Sequence, residues 1–334
     1  MKVVITGGAG FLGQRLARKL LERGTLSGAG NAPERIDRLV LLDVIAASHF
    51  DDPRVEVIAG DIADPAILAR AVDRQTSSVF HLAAIVSGEA ERNFELGMRV
   101  NLDAARLLLD TCRAAGSKPR VLFTSSVAVY GGDLSGGVDD RTALRPRSSY
   151  GVQKAIGELL LVEYTRKGFV DGRVGRLPTI SVRPGRPNQA ASSFASGIIR
   201  EPLNGEAATC PVTGDTRLWL LSPRRAIENL VALHELPAAA FGADPIVNLP
   251  GISVSVDEMI AALRSVGGDE AVRRIRWERD PAVERIVGSW PAAWDVTRAR
   301  SFGLVADDSF EAMVRAYVGD DLQVRSSERI EARS

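Results

Sequence analysis

The chain has 334 residues, 42 Lys+Arg against 42 Asp+Glu, a formal net charge of zero and 45% hydrophobic residues. That length suits one large or two moderate domains, and the balanced charge lacks the basic footprint of a nucleic-acid or anionic-membrane binder. Two cysteines, Cys112 and Cys210, make no disulfide framework, and His49, His81 and His234 are too scattered to nominate a metal site. The N-terminal apolar run is short and broken by glycine, unlike a signal peptide, and no stretch approaches the ~18–20 residues of a membrane span. A cytoplasmic enzyme or binding protein is the expectation.

Short apolar runs alternate with helical patterns from Lys2 to about Val182, the order of βαβ units around a parallel sheet. KVVIT (2–6) reads as a strand buried on both faces, and Phe11, Leu12, Leu16, Leu20 and Leu21 follow at helical spacing. Residues 25–37 read as a polar loop longer than packing needs. Strands are predicted at 39–43, 55–61, 77–84, 120–126 and near 175–182. Helices are predicted at 65–72, with Asp64 as N-cap and Pro65 in first position, over most of 89–115, and at 149–167.

After Pro184, frequent prolines cut the chain into short segments, with helices expected near 192–201, 222–236 and 256–266. The polar tail after about Tyr317 is expected to fray. The fold class is therefore α/β: a Rossmann-type doubly wound parallel sheet over residues 1–182, with a returning segment near 217–250. Residues 183–334 form mainly a smaller, irregular α/β substrate-binding part.

The first strand runs into Gly7-Gly8-Ala9-Gly10-Phe11-Leu12-Gly13 and then a helix. Glycines there permit a tight turn, close backbone approach to a pyrophosphate and tight helix–strand packing, while the helix N-terminus offers free N–H groups. Asp43 ends the second strand, where a carboxylate accepts ribose hydroxyls and repels a 2′-phosphate, so NAD is favoured over NADP. Asp61 and Ile62 suit the adenine edge, and Ala83 and Ala84 are small enough for a cofactor to lie across the sheet.

Tyr150 and Lys154 stand four residues apart on one helix face. An ammonium beside a phenol of pKa ~10 stabilises the phenolate and brings it toward a useful base. Ser126, at the carboxyl end of a parallel strand, can orient the reacting oxygen. Tyr-x-x-x-Lys alone is common on surface helices; its combination with the glycine loop and Ser126 makes it a catalytic pattern.

TGGAGFLG, Asp43, Asp61-Ile62, HLAA (81–84), Asn101, SSVAVYG (125–131), Tyr150-x-x-x-Lys154 and Arg183-Pro184-Gly185 resemble the extended short-chain dehydrogenase/reductases, the sugar-nucleotide epimerase/dehydrogenase group. The resemblance is dense over about the first 185 residues and loose beyond. It implies Tyr150 as proton acceptor, Lys154 and Ser126 as its partners, and Asn101 supporting the lysine through water. It also implies a homodimer through the helices near 89–115 and 149–167.

Two segments depart from the nucleotide-sugar pattern: Arg176-Leu177-Pro178-Thr179 after the sixth strand, and Arg217-Leu218-Trp219-Leu220-Leu221-Ser222-Pro223-Arg224. The stretch from Tyr150 to Glu206 is similar to a subgroup that oxidises the C2 hydroxyl of a small acid sugar with NAD. A nucleotide-sugar epimerase or dehydratase using the same Ser/Tyr/Lys triad is the alternative, and a redox-sensing binding protein the third reading. For the substrate carboxylate the choice falls among Arg176, Arg183, Arg186, Arg200, Arg217 and Arg224. Arg217, which aligns with a cleft arginine of related enzymes, comes first, Arg200 second, and Arg183 reads as structural. Ser192 and Ser193 add neutral donors. The four tryptophans read as packing residues.

Overall fold

The computed structural model describes residues 1–28, 30–47, 50–132, 134, 137–185 and 187–322. Among these, seven strands form one parallel sheet, in the spatial order Ile246–Asn248, Asp171–Leu177, Arg120–Ser126, Thr76–His81, Lys2–Thr6, Arg38–Asp43 and Val55–Ala59. Chain order reverses at Lys2–Thr6, so the switch point lies between that strand and Thr76–His81. Crevices at such points, outside the carboxyl ends of the strands, are where ligands bind.

The period of two explains the layers. Val3 and Ile5 face one side of the sheet and pack with Leu16 and Leu20, whereas Val4 faces the other and packs with Leu68 and Leu108. The strand is buried along its whole length: Val3, Val4 and Ile5 are apolar, and Lys2 and Thr6 at its ends are paired with Asp73 and His81. On the helix that follows the third sheet strand, the Asp64 carboxylate accepts from Ala66 N at 2.8 Å and Pro65 opens the first turn.

The sixth strand runs over Asp171–Leu177, earlier than the expected 175–182. Its fully buried Arg173, like Arg120 in the neighbouring strand, hides the apolar run by which buried strands are recognised. Asp171 offsets both charges, at 2.8 Å from Arg173 and 3.2 Å from Arg120. Arg120 also corrects the expected loop at 25–37. Thr25–Ser27 and Pro33–Arg35 pair as an antiparallel hairpin, and Arg120 donates to Ser27 O at 3.3 Å and Asn31 Oδ1 at 2.6 Å. The span 89–115 is also less regular than expected. Helices Ser87–Arg92, Phe94–Gly97 and Ala104–Ala115 are joined by a π-helical turn, Met98–Asp103, a feature frequent at functional sites.

The smaller part has a three-stranded sheet in the order Ile252–Ser255, Arg217–Leu221, Thr179–Ile180. Helices Phe194–Leu203, Val256–Val272 and Phe310–Tyr317 enclose a separate core of Ile198, Leu218, Met259, Leu263 and Val314. The long helix outruns its expected end and bends at Gly268, whose φ of 75° lies in the left-handed region. Between the two halves of this part, helix Pro223–Glu235 and strand Ile246–Asn248 return to the large sheet. The turn Val318–Leu322 is held by Arg15 on Asp321 and by Arg224 on Asp320 at 2.6 Å. No helix among the described residues is long and apolar enough to cross a membrane.

Candidate active site

One cavity of about 790 Å³ opens at the switch point, lined by Gly7, Gly10 to Gly13, Asp43, Asp61, Ile62, Ala83, Ser126, Tyr150 and Lys154. That volume is in the range of ligand pockets, roughly 300–1,000 Å³. At its floor Gly10 N donates to Gly7 O at 3.1 Å, closing a tight turn before helix Phe11–Arg23. Gly7 has φ 72°, and a Cβ on Gly13 would stand 2.1 Å from Gly7 O, so neither position takes a larger residue without moving backbone. The loop is thereby a side-chain-free cradle ending on free helix N–H groups, which fits a pyrophosphate.

The Asp43 carboxylate accepts from Ala9 N at 3.0 Å and Val44 N at 2.8 Å, tying the end of its strand to the glycine loop. Asp61 is paired with Arg99, whose guanidinium holds the carboxyl below its usual range. Asn101, fully buried in the π-helical turn, receives Ile85 N at 2.8 Å and donates to Ile85 O at 3.0 Å and Gln153 Oε1 at 2.7 Å. It therefore joins the segment after the fourth sheet strand to the catalytic helix, one residue before Lys154.

Ser126 ends the strand Arg120–Ser126, and Tyr150 and Lys154 lie in the first turns of helix Ser149–Arg166, capped by Ser148 on Gly151 N at 3.2 Å. The Ser126 hydroxyl accepts from Ala128 N at 3.2 Å and lies near enough to the Tyr150 phenol to favour its ionised form. Lys154 Nζ sits 4.7 Å from the Phe123 ring centroid and 5.7 Å from that of Tyr150. Burial pushes the Tyr150 phenol up to about 12, against Ser126 and the charge of Arg183. Lys154 is not among the groups that lower the phenol, and its ammonium is itself desolvated. Burial brings it down to about 8, with Glu158 opposing. His81 adds no cation, since burial and then the Lys154 charge push it down to about 3.

Glu158, one turn past Lys154, anchors the helix to the sheet. Its carboxylate accepts from Arg176 Nε at 2.9 Å and Nη2 at 2.7 Å, and from Ser125 Oγ. Arg176 Nη1 donates to Tyr130 OH at 2.6 Å, which donates to Asn248 Oδ1 at 2.8 Å. Burial alone would lower the Arg176 guanidinium, but its Glu158 bonds hold it above its ordinary value. Every member of this network is buried. Arg176 is thus occupied beneath the site.

The arginine expectations need correction. Arg217 does not line the cavity. It stands on the small sheet with its side chain half in solvent, 3.2 Å from Glu258 and 3.3 Å from Ser253 Oγ. The antiparallel neighbour Ile252–Ser255 and the capping-box acid Glu258 draw it outward. Arg224 pairs with Asp320, away from the cavity, and Arg186 lies outside the described residues. Arg200 lines the cavity wall, as do Ser192 and Ser193. Arg183, read as structural, lines it too, as does Trp290. Nothing in the periodicity points to Trp290, which lies in an irregular segment before Trp294. Trp219 and Trp294 do pack, stacked at 5.8 Å.

Residues 3–222 match the model of the NAD dependent epimerase/dehydratase family. The chain is 62% identical over 320 residues to a D-erythronate dehydrogenase of Cupriavidus necator, covering 96% of this chain and 98% of that one. It is 44% identical to a D-erythronate dehydrogenase of Haemophilus influenzae, over 96% of this chain and all of the relative. Among solved structures, a nucleoside-diphosphate-sugar epimerase from Agrobacterium tumefaciens superposes with a TM-score of 0.90 at 40% identity, covering 97% and 95% of the two chains. An L-threonine dehydrogenase from Cupriavidus necator in its holo form gives 0.81 at 26%, covering 96% and 99%. With a nicotinamide-binding fold and relatives named as dehydrogenases, this is a nicotinamide-dependent oxidoreductase acting on a CH–OH group, and the chain belongs to the NAD dependent epimerase/dehydratase family.

Proposed function

We propose that the protein oxidises the C2 hydroxyl of D-erythronate to 2-dehydro-D-erythronate with NAD, and that Tyr150 is the proton acceptor. The observation that carries this reading is the meeting of Ser126, Tyr150 and Lys154 in the cavity that the glycine loop and Asp43 also line. Asp43 holds the adenosine ribose, and the glycine loop holds the pyrophosphate. When bound, the cofactor supplies the hydride acceptor. Ser126 orients the substrate oxygen and Tyr150 takes its proton, with the Lys154 ammonium, 5.7 Å from the Tyr150 ring centroid, as the cation that faces the phenolate once it forms. A nucleotide-sugar epimerase is disfavoured because Arg217, which would help hold a nucleotide, faces Glu258 outside the cavity. Turnover tests the proposal: NADH forms with D-erythronate, whereas no NADH from D-erythronate together with epimerised or dehydrated UDP-sugar would replace it.

Cofactor choice gives a separate prediction. Asp43 presents a carboxylate where a 2′-phosphate would have to sit. Wild type therefore has the higher kcat/KM with NAD than with NADP, and Asp43→Ser narrows the gap from both sides. A wild-type preference for NADP, measured under the same conditions, contradicts the role of Asp43.

A further inference from the structure

An acid substrate brings a carboxylate that neither the triad nor the cofactor residues neutralise. Arg183 opens the turn that follows the short strand Thr179–Ile180. Its backbone is fixed on both sides: its N–H donates to Ser196 Oγ at 3.0 Å, and its carbonyl accepts from Arg200 Nη1 at 2.8 Å. The half-buried side chain lines the cavity that contains Ser126 and Tyr150, and its charge is felt at the Tyr150 phenol. One guanidinium nitrogen donates to Asn188 Oδ1 at 3.1 Å. Among the described residues, no carboxylate pairs with it.

Arg200, the second guanidinium on that wall, differs in this respect. It pairs with Glu201 at 2.5 Å and spends another nitrogen on the Arg183 carbonyl. Burial and the neighbouring Arg200 charge together push Arg183 down to about 10. The wall is short of one negative charge, and a half-buried cation with no carboxylate beside it leaves room for an anion from the cavity. A planar guanidinium suits a carboxylate, which it can hold through two parallel charge-assisted bonds.

We propose that Arg183 receives the carboxylate of a 2-hydroxy acid substrate, with Asn188 holding its guanidinium and Arg200 its backbone carbonyl. The proposal rests on the oxidation reading above and deepens it. Acid recognition beside Tyr150 then sets the carbinol next to the acid at the proton acceptor, which selects C2 over the hydroxyls farther along the chain.

The experiment compares wild type, Arg183→Gln, Arg183→Lys and Arg217→Gln for D-erythronate KM and for NADH dissociation. Arg183→Gln raises KM by about tenfold or more, the loss expected of a charge-assisted bond, with NADH binding unchanged. Arg183→Lys lies between, added guanidinium lowers the KM of Arg183→Gln, and Arg217→Gln behaves as wild type. An unchanged KM in Arg183→Gln with intact NADH binding overturns the proposal, as does an equal rise in Arg217→Gln. If wild type leaves D-erythronate untouched, the oxidation reading fails by itself. Calorimetric titration of D-glycerate into the NADH complexes then decides the arginine: loss of binding in Arg183→Gln supports it, and retained binding overturns it.

Discussion

Tyr150→Phe lowers kcat for D-erythronate oxidation by about 10²–10⁴-fold, the range for loss of a positioned acid–base group. The ring stays and packs as before, so NADH affinity holds while the proton acceptor is gone. The pH profile carries the same information. Burial leaves the phenol at about 12, so at neutral pH little of it is phenolate. The phenolate fraction grows as pH rises toward that value, and wild-type kcat/KM for oxidation climbs with it. Tyr150→Phe loses the climb as well as the rate. Lys154→Met, by contrast, damages both turnover and NADH binding, because the ammonium lies in the cavity that the glycine loop also lines and can hydrogen-bond the cofactor ribose as well as face the phenol. Steady-state rates paired with calorimetry separate the two variants, and substantial activity in Tyr150→Phe would place the base elsewhere.

Glu158→Ala destabilises the fold by about 3–5 kcal/mol, the usual result of leaving one partner of a buried ion pair alone. The side chain of Arg176 is 3% exposed and that of Glu158 0%. Without the carboxylate, the buried guanidinium keeps Tyr130 OH and the Asp140 carbonyl as hydrogen-bond acceptors and loses the carboxylate paired with it. Urea unfolding with an unchanged m-value reads the loss directly. Glu158→Gln keeps the shape and part of the bonding, so it loses less stability. Because Glu158 lies one turn from Lys154 and opposes the lowering of its pKa, Glu158→Gln also moves the pH profile of turnover. A loss well under 1 kcal/mol in Glu158→Ala would mean water reaches Arg176, contrary to its burial.

The parallel sheet was legible because its early strands follow one simple rule. Val3–Ile5 and Leu39–Leu42 are buried on both faces and carry continuous apolar runs. Where long-range pairing replaces that rule, local pattern misleads. Arg120 and Arg176 are buried in strands because Asp171 and Glu158 meet them from neighbouring elements, and Arg173 because Asp171 stands two residues before it on the same strand. The hairpin at 25–35 likewise depends on Arg120, some ninety residues away.

The site divides along the same line. Ser126, Tyr150, Lys154, Asp43 and the glycine loop lie at strand ends or on one helix face, positions that spacing alone can bring together. The arginines do not. Arg217 turned outward because Ser253 and Glu258 lie on an antiparallel neighbour and the helix after it, a pairing no local spacing announces. Arg183 looked like a turn residue and is one, yet its side chain enters the cavity. The signal was available in part: Arg200 has an acid as its immediate neighbour, whereas Arg183 has none nearby in the chain.

Oxidation at C2 is the central claim, and transfer of a label tests it most directly. D-erythronate carrying deuterium on C2 is turned over with NAD, and the nicotinamide and the product are examined by mass spectrometry and NMR. The account predicts deuterium in the NADH, an unlabelled 2-dehydro-D-erythronate, and loss of both in Tyr150→Phe. Deuterium retained in the product, with hydrogen taken from another carbon or no NADH released, would contradict it.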